Sequence, residues 1–233
     1  MTRELRCLEV RSALTELGDT NEVIAMRACG FWIVIFIQWT ALELFAQTNR
    51  PLPLEIYVYN PVRVPQAILS RAEQRVSAIL GRSGVEAEWL DCSAIGPERG
   101  RCAGLPAPGS VTVQIVQGTT KMSEEVFGAT FLGTDGTGRQ ADIFYDRINA
   151  LHEDWNIALA ELLGNVIAHE LGHLLLGLNA HSPTGIMSPV WTHKELSQAQ
   201  RGALVFSVEQ SKRIQKKLGD FASASPQRPS SGN

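Results

Sequence analysis

The sequence predicts an α+β fold: a mixed, mostly parallel twisted sheet with an antiparallel edge strand, packed on a backing helix and on a second, almost wholly apolar helix. Three observations predict it. Short runs rich in alternating apolar residues flank a segment of helical period, the strand–helix–strand order of a parallel pair. Two later apolar runs are joined by a glycine-rich connection that favours an antiparallel hairpin. Residues 155–176 are apolar nearly all round, as a helix buried inside a domain must be.

Taken in order, residues 54–59 alternate apolar and polar or amphipathic side chains and read as the first strand. Pro65 suits a first helical turn, and Ile68, Leu69, Ala72, Val76, Ile79 and Leu80 then recur on one face until Gly81 and Gly84 stop the helix. Residues 85–90 make a second strand. A Gly- and Pro-containing loop between Cys92 and Cys102 leads to a third, residues 110–116. Residues 126–132 and 140–145 form the hairpin, joined through 133–138. Gly177 ends the apolar helix. Beyond a Pro/Gly loop, a helix over 208–218 opens on a capping-box pattern at Ser207 and Gln210.

The 233 residues divide into a leader, 1–47, one domain over 48–222 with enough apolar content for a packed core, and a disordered tail, 223–233. Within the leader, the apolar run 28–37 follows Arg27 and is shorter than the ~20 residues of a membrane span. It suits a signal peptide, with Ala46 as cleavage point and Met26 as the natural start. Leu44 is large for such a cleavage site, so an uncleaved anchor stays open. The expectation is a secreted or periplasmic monomer, or an anchored one with the domain outside, touching membrane only through the leader.

Cys7 and Cys29 fall in that leader, which leaves Cys92 and Cys102 as a disulfide in an oxidising compartment or as two free thiols. Without Cys-x-x-Cys spacing they are no metal site. A net charge of −3 gives no basic surface for a nucleic acid. The densest positive run, Lys212, Arg213, Lys216 and Lys217, lies at helical spacing and reads as a solvated face that complements the helix dipole.

Chemistry concentrates in the apolar helix. His169 and His173 are four apart, so both imidazoles leave one face and can share a cation. Glu170 points beside them, where a carboxylate reaches a metal-bound water rather than the metal. Burying these groups without partners forfeits about 1–3 kcal/mol each, which argues against accident. A catalytic site needs a third protein ligand and an open fourth position. Gly177 permits the chain to turn back, and His181 lies just beyond it. His152 and His193 read as ordinary surface residues.

The stretch His169-Glu-Leu-Gly-His173-Leu-Leu-Leu-Gly177-Leu-Asn-Ala-His181, followed by Gly185-Ile-Met187-Ser-Pro189, resembles the active-site region of metzincin zinc peptidases, matrixins most closely. It is similar as well to small bacterial metallopeptidases with the phrase His-Ser-Pro-x-Gly-Ile-Met. The resemblance implies a zincin-like fold, Zn2+ on His169, His173 and His181, Glu170 as general base, and Met187 in a methionine turn beneath the metal. It also implies that an edge strand, here Gly128, Ala129, Thr130, Phe131 and Leu132, lines the cleft and pairs with an extended peptide or protein substrate. The loop over 188–194, with Trp191 in it, would shape specificity.

This chain departs from the pattern in spacing: its glycine stands four rather than three residues past His173, and its third histidine eight rather than six. A larger turn is expected. Two other readings stay open. In one, Glu195 replaces His181 as third ligand, as in gluzincins; in the other, the domain is an exported binding module whose zinc has no catalytic use.

Overall fold

The computed structural model of the protein describes residues 50–93, 99–102, 109–120, 122, 123 and 125–224. The expected leader and most of the expected tail lie outside these residues. In chain order the elements are β1 (Leu52–Tyr59), α1 (Gln66–Gly81), β2 (Val85–Asp91), the short α2 (Arg99–Cys102), β3 (Val111–Val116), β4 (Gly128–Phe131), β5 (Gln140–Phe144), α3 (Tyr145–Trp155), α4 (Leu159–Leu176), α5 (His193–Gln200) and α6 (Val208–Ala224).

The strands form one sheet in the order β2-β1-β3-β5-β4. β1 pairs in parallel with β2 and β3, β3 pairs in parallel with β5, and β4 closes one edge antiparallel to β5. The alternation read from the sequence places Leu54, Ile56 and Val58 of β1, Val111, Val113 and Ile115 of β3, and Ala141 and Ile143 of β5 in the core. Against them lie Leu69, Ala72, Val76, Ile79 and Leu80 of α1 and the apolar residues of α4. α1 and α4 pack on each other. Gly164 allows the approach, since a Cβ there would lie 2.8 Å from the Ala72 carbonyl oxygen.

The mixed sheet, its antiparallel edge and the two packed helices therefore match the expectation, while several boundaries shift, β1 opening two residues early at Leu52 and β4 ending at Phe131. Val126 belongs to a turn closed by its N–H on the Ser123 carbonyl, so β4 starts at Gly128. Tyr145 opens α3 instead of ending β5. The long apolar segment is two elements: α3 stops at Trp155, where Asn156 adopts a left-handed conformation with φ 52°, and α4 begins at Leu159. Asparagine is one of the few non-glycine residues that accept this conformation, so apolar continuity concealed a helix end. The donor and acceptor there are satisfied, with Asn156 N–H on the His152 carbonyl and His152 Nδ1–H on the Ile157 carbonyl at 2.6 Å. His152 is thus half-buried at a helix end and not an ordinary surface residue.

Cys92 and Cys102 form a disulfide with a Cα separation of 5.6 Å. The capping box at α6 forms as read, Ser207 N–H donating to Gln210 Oε1 at 2.8 Å and Gln210 N–H to Ser207 Oγ at 3.1 Å. α6 continues to Ala224, so the first two residues assigned to the tail are helical. The basic run on α6 divides. Lys212 and Lys216 face solvent, but Arg213 donates to the Leu176 carbonyl and Lys217 to the Leu174 carbonyl, both at 2.9 Å, on the last turn of α4.

Candidate active site

α4 delivers His169, Glu170 and His173 to one end of the sheet, beside β4. The imidazoles stand one turn apart, their Nε2 atoms separated by 3.1 Å. After Leu176 the chain reverses through Gly177 (φ 77°) and Asn179 (φ 57°), two residues of positive φ that build the longer turn which the spacing demands. That turn brings His181 back over the helix, its ring centroid 4.6 Å from that of His173 and 5.6 Å from that of His169. The three histidines offer ligand atoms that all lie within 4.8 Å of one another. Among the described residues they form the one group of three or more His, Cys, Asp or Glu side chains placed to hold a metal.

The donor set fits a divalent ion. His169 Nδ1 lies 2.7 Å from the Ile186 carbonyl, which can only accept, so Nδ1 carries the hydrogen and Nε2 of the neutral ring presents a lone pair. Burial holds His169 to a pKa of about 4, with the Ile186 bond opposing and the nearby His181 reinforcing. Burial likewise holds His173 to about 4, reinforced by His169 and His181. Both rings are therefore neutral at pH 7, the state a metal ligand requires. The 3.1 Å spacing is close to the ~3.3 Å between nitrogens that share a tetrahedral ion.

Met187 is wholly buried beneath this site. A Cβ on Gly172, between the two helical histidines, would fall 2.3 Å from Met187 Sδ and 2.8 Å from Phe206 Cε1, so the missing side chain makes room for the methionine. The turn bearing Met187 is held by Ile186 N–H on the Val205 carbonyl at 3.0 Å, Ser188 N–H on Gly185 at 3.1 Å, and Ser182 N–H on the Met187 carbonyl at 2.9 Å. Gln210 of α6 secures the third histidine's surroundings by donating to Ser182 Oγ at 3.0 Å and to the Ala180 carbonyl at 3.5 Å.

Glu170 is buried, and its carboxylate meets the edge strand. Thr130 of β4 donates to Glu170 Oε2 at 2.6 Å, with the Glu170 carbonyl a second acceptor at 3.1 Å. A Cβ on Gly128 would lie 2.9 Å from Oε1. Burial raises the carboxyl to a pKa of about 7, and the Thr130 bond pulls the other way. That places a proton acceptor poised near neutrality beside the neutral imidazoles of His169 and His173.

A cleft of about 670 Å³ opens above these groups. Gly128, Ala129, Thr130 and Leu132 line it on one side; Phe131 of the same strand points away and is exposed. Ser188, Pro189, Val190 and Trp191 line another part, with the Trp191 ring 6.0 Å from that of His169. Val126, Phe127, Trp155 and Val166 complete the apolar wall. Sequence patterning alone does not reveal these four. Trp155 sits within the long apolar run, although its place at a chain reversal signals another role. His193 stays outside the metal group, its ring 4.4 Å from that of Trp155.

No protein-family model matches this chain, and no curated protein matches it. Glu195 answers to its surroundings instead. Its carboxylate accepts from the Thr192 N–H at 3.0 Å and from the Thr192 hydroxyl, completing a capping box at the start of α5. These bonds keep it below the usual carboxylate range.

Proposed function

We propose that the protein is a zinc-dependent endopeptidase of metzincin type, with His169, His173 and His181 as metal ligands and Glu170 as general base. One observation carries the reading: three imidazoles converge at the floor of a cleft in which a buried carboxylate, not itself in the ligand group, is bonded to the sheet's edge strand. A structural metal site has no use for such a carboxylate and normally fills its fourth position. The gluzincin alternative loses support, because Glu195 is committed to capping α5.

His169, His173 and His181 would hold the zinc, which would supply a positive centre able to ease the ionisation of water near neutral pH and to polarise a peptide carbonyl. Glu170 takes the proton from the attacking water and returns it to the departing amine. Thr130 fixes one carboxylate oxygen, leaving the other, beside Gly128, to handle the proton. The outer edge of β4, unpaired among the described residues, offers backbone donors and acceptors to an extended peptide, whose scissile bond then lies across Glu170.

The test is metal analysis together with a chelator-sensitive peptide-library assay on the parent and on Glu170→Ala. The parent should hold one zinc and cleave peptides, and Glu170→Ala should keep the zinc with turnover down by roughly 10²-fold or more. A parent that is fully loaded yet cleaves nothing, or a variant that works at the parent rate, refutes the reading.

A further inference from the structure

We infer that Arg147 is a positioning residue for the substrate cleft, its guanidinium gathering the chain that forms one wall. Immediately before β4 the backbone makes two turns in succession, Met122 N–H on the Thr119 carbonyl at 3.2 Å and Val126 N–H on the Ser123 carbonyl at 3.1 Å. Arg147, in the first turn of α3, donates to the first and last carbonyl of both. Nη1 reaches Ser123 and Val126 at 2.6 Å each, and Nη2 reaches Thr119 at 2.7 Å and Met122 at 3.2 Å.

Four carbonyl dipoles aimed at one centre repel one another unless positive charge lies there. A planar guanidinium supplies that charge with its donors in a fixed fork, which a flexible ammonium does not. The group is held in place from two other sides. The Phe144 ring lies 4.8 Å from its central carbon. Gly118, whose N–H donates to Asp146 Oδ1 at 2.7 Å, passes so close that a Cβ there would fall 2.5 Å from Arg147 Nε.

The segment from Val126 to Gly128 links this arrangement to the cleft. Val126 and Phe127 line the cleft, the Phe127 carbonyl accepts from Phe144 N–H at 2.9 Å, and Gly128 lies against Glu170. Arg147 itself is not among the residues lining the cleft. The three histidines are held by other means: the Ile186 carbonyl, the Met187 turn and Gln210. Loss of the guanidinium should therefore loosen substrate binding and leave the metal in place.

The test compares parent, Arg147→Ala and Arg147→Lys, each zinc-loaded, by backbone hydrogen exchange, zinc content and steady-state peptide cleavage. Only the cleavage arm rests on the peptidase reading. In Arg147→Ala, exchange over 118–127 should accelerate by about tenfold or more, while α4 stays protected and zinc content stays at the parent level. KM should rise by about tenfold with kcat within about threefold of the parent. Millimolar guanidinium chloride should reverse both effects, and equal ammonium chloride should not. Arg147→Lys, which keeps the stem and one point charge, should shift in the same direction by less.

Unchanged exchange over 118–127, zinc loss, a fall in kcat at constant KM, or equal rescue by ammonium overturns the assignment. A parent that cleaves nothing defeats the peptidase reading, and the exchange and guanidinium arms still decide whether Arg147 holds the wall.

Discussion

The absence of a side chain at position 172 governs how Met187 sits beneath the three clustered histidines. Gly172→Ala would drive a methyl to 2.3 Å from Met187 Sδ and 2.8 Å from Phe206 Cε1, and neither neighbour has free space, since Met187 is fully buried. Overpacking of this kind costs about 1–3 kcal/mol. Ile186, next to Met187, accepts the bond that orients His169, so metal affinity should fall by roughly 10–100-fold as well. Urea unfolding and competitive metal titration check both; an unmoved midpoint with parent affinity contradicts the packing account. At this scale the sequence was readable where the helix alone dictates geometry: His169, Glu170 and His173 had to share a face. The Ile186 carbonyl was not, because a backbone acceptor has no residue signature, and the Thr130–Glu170 bond required knowing which strand lies beside α4.

Among the elements, α4 is an apolar helix whose last carbonyls cannot be satisfied within it. Arg213 and Lys217 of α6 supply two donors and place positive charge at the negative end of the helix dipole. Lys217 shows the cost of this position, its pKa lowered chiefly by burial, with Asp135 opposing. The double variant Arg213→Gln, Lys217→Gln should lose about 1–3 kcal/mol in chemical denaturation, whereas Lys212→Gln with Lys216→Gln should stay within about 0.5 kcal/mol. Equal losses in the two pairs contradict the assignment. Helical spacing showed that these cations belong to a helix, but the meeting of one pair with the end of α4 is a tertiary fact. Likewise the split between α3 and α4 was hidden behind Trp155 and Ile157, apolar on both sides of a polar Asn156.

For the molecule as a whole, the site sets opposing dependences of stability on pH in the metal-free protein. His169 and His173 titrate near 4 in the fold and near 6.5 unfolded, so their contribution is complete above pH 6.5 and is lost as pH falls toward 4. Glu170 titrates near 7 in the fold against 4.5 unfolded, so its contribution is complete below pH 4.5 and is lost as pH rises through 7. Glu73 is raised to about 7 as well, by burial and then by the neighbouring Asp91, so two carboxyls oppose two imidazoles. The apo protein should therefore change little in stability from pH 4.5 to 6.5, and Glu170→Gln, which removes one opposing group, should leave a net rise. Thermal midpoints across the range measure it, and a flat or inverted slope in Glu170→Gln speaks against the burial of these groups. The sheet was legible because one-sided burial imprints a period of two on β1 and β3 and a glycine-rich link betrays the β4–β5 hairpin. Strand order was less so, being set by contacts far apart in the chain. Gln210 adds one more long-range dependence, since its amide clasps the chain on both sides of His181. Cutting the polypeptide ahead of Ser207 would leave two imidazoles anchored and set the third adrift, so under the proposed zinc site the C-terminal helix would be a brake on metal escape.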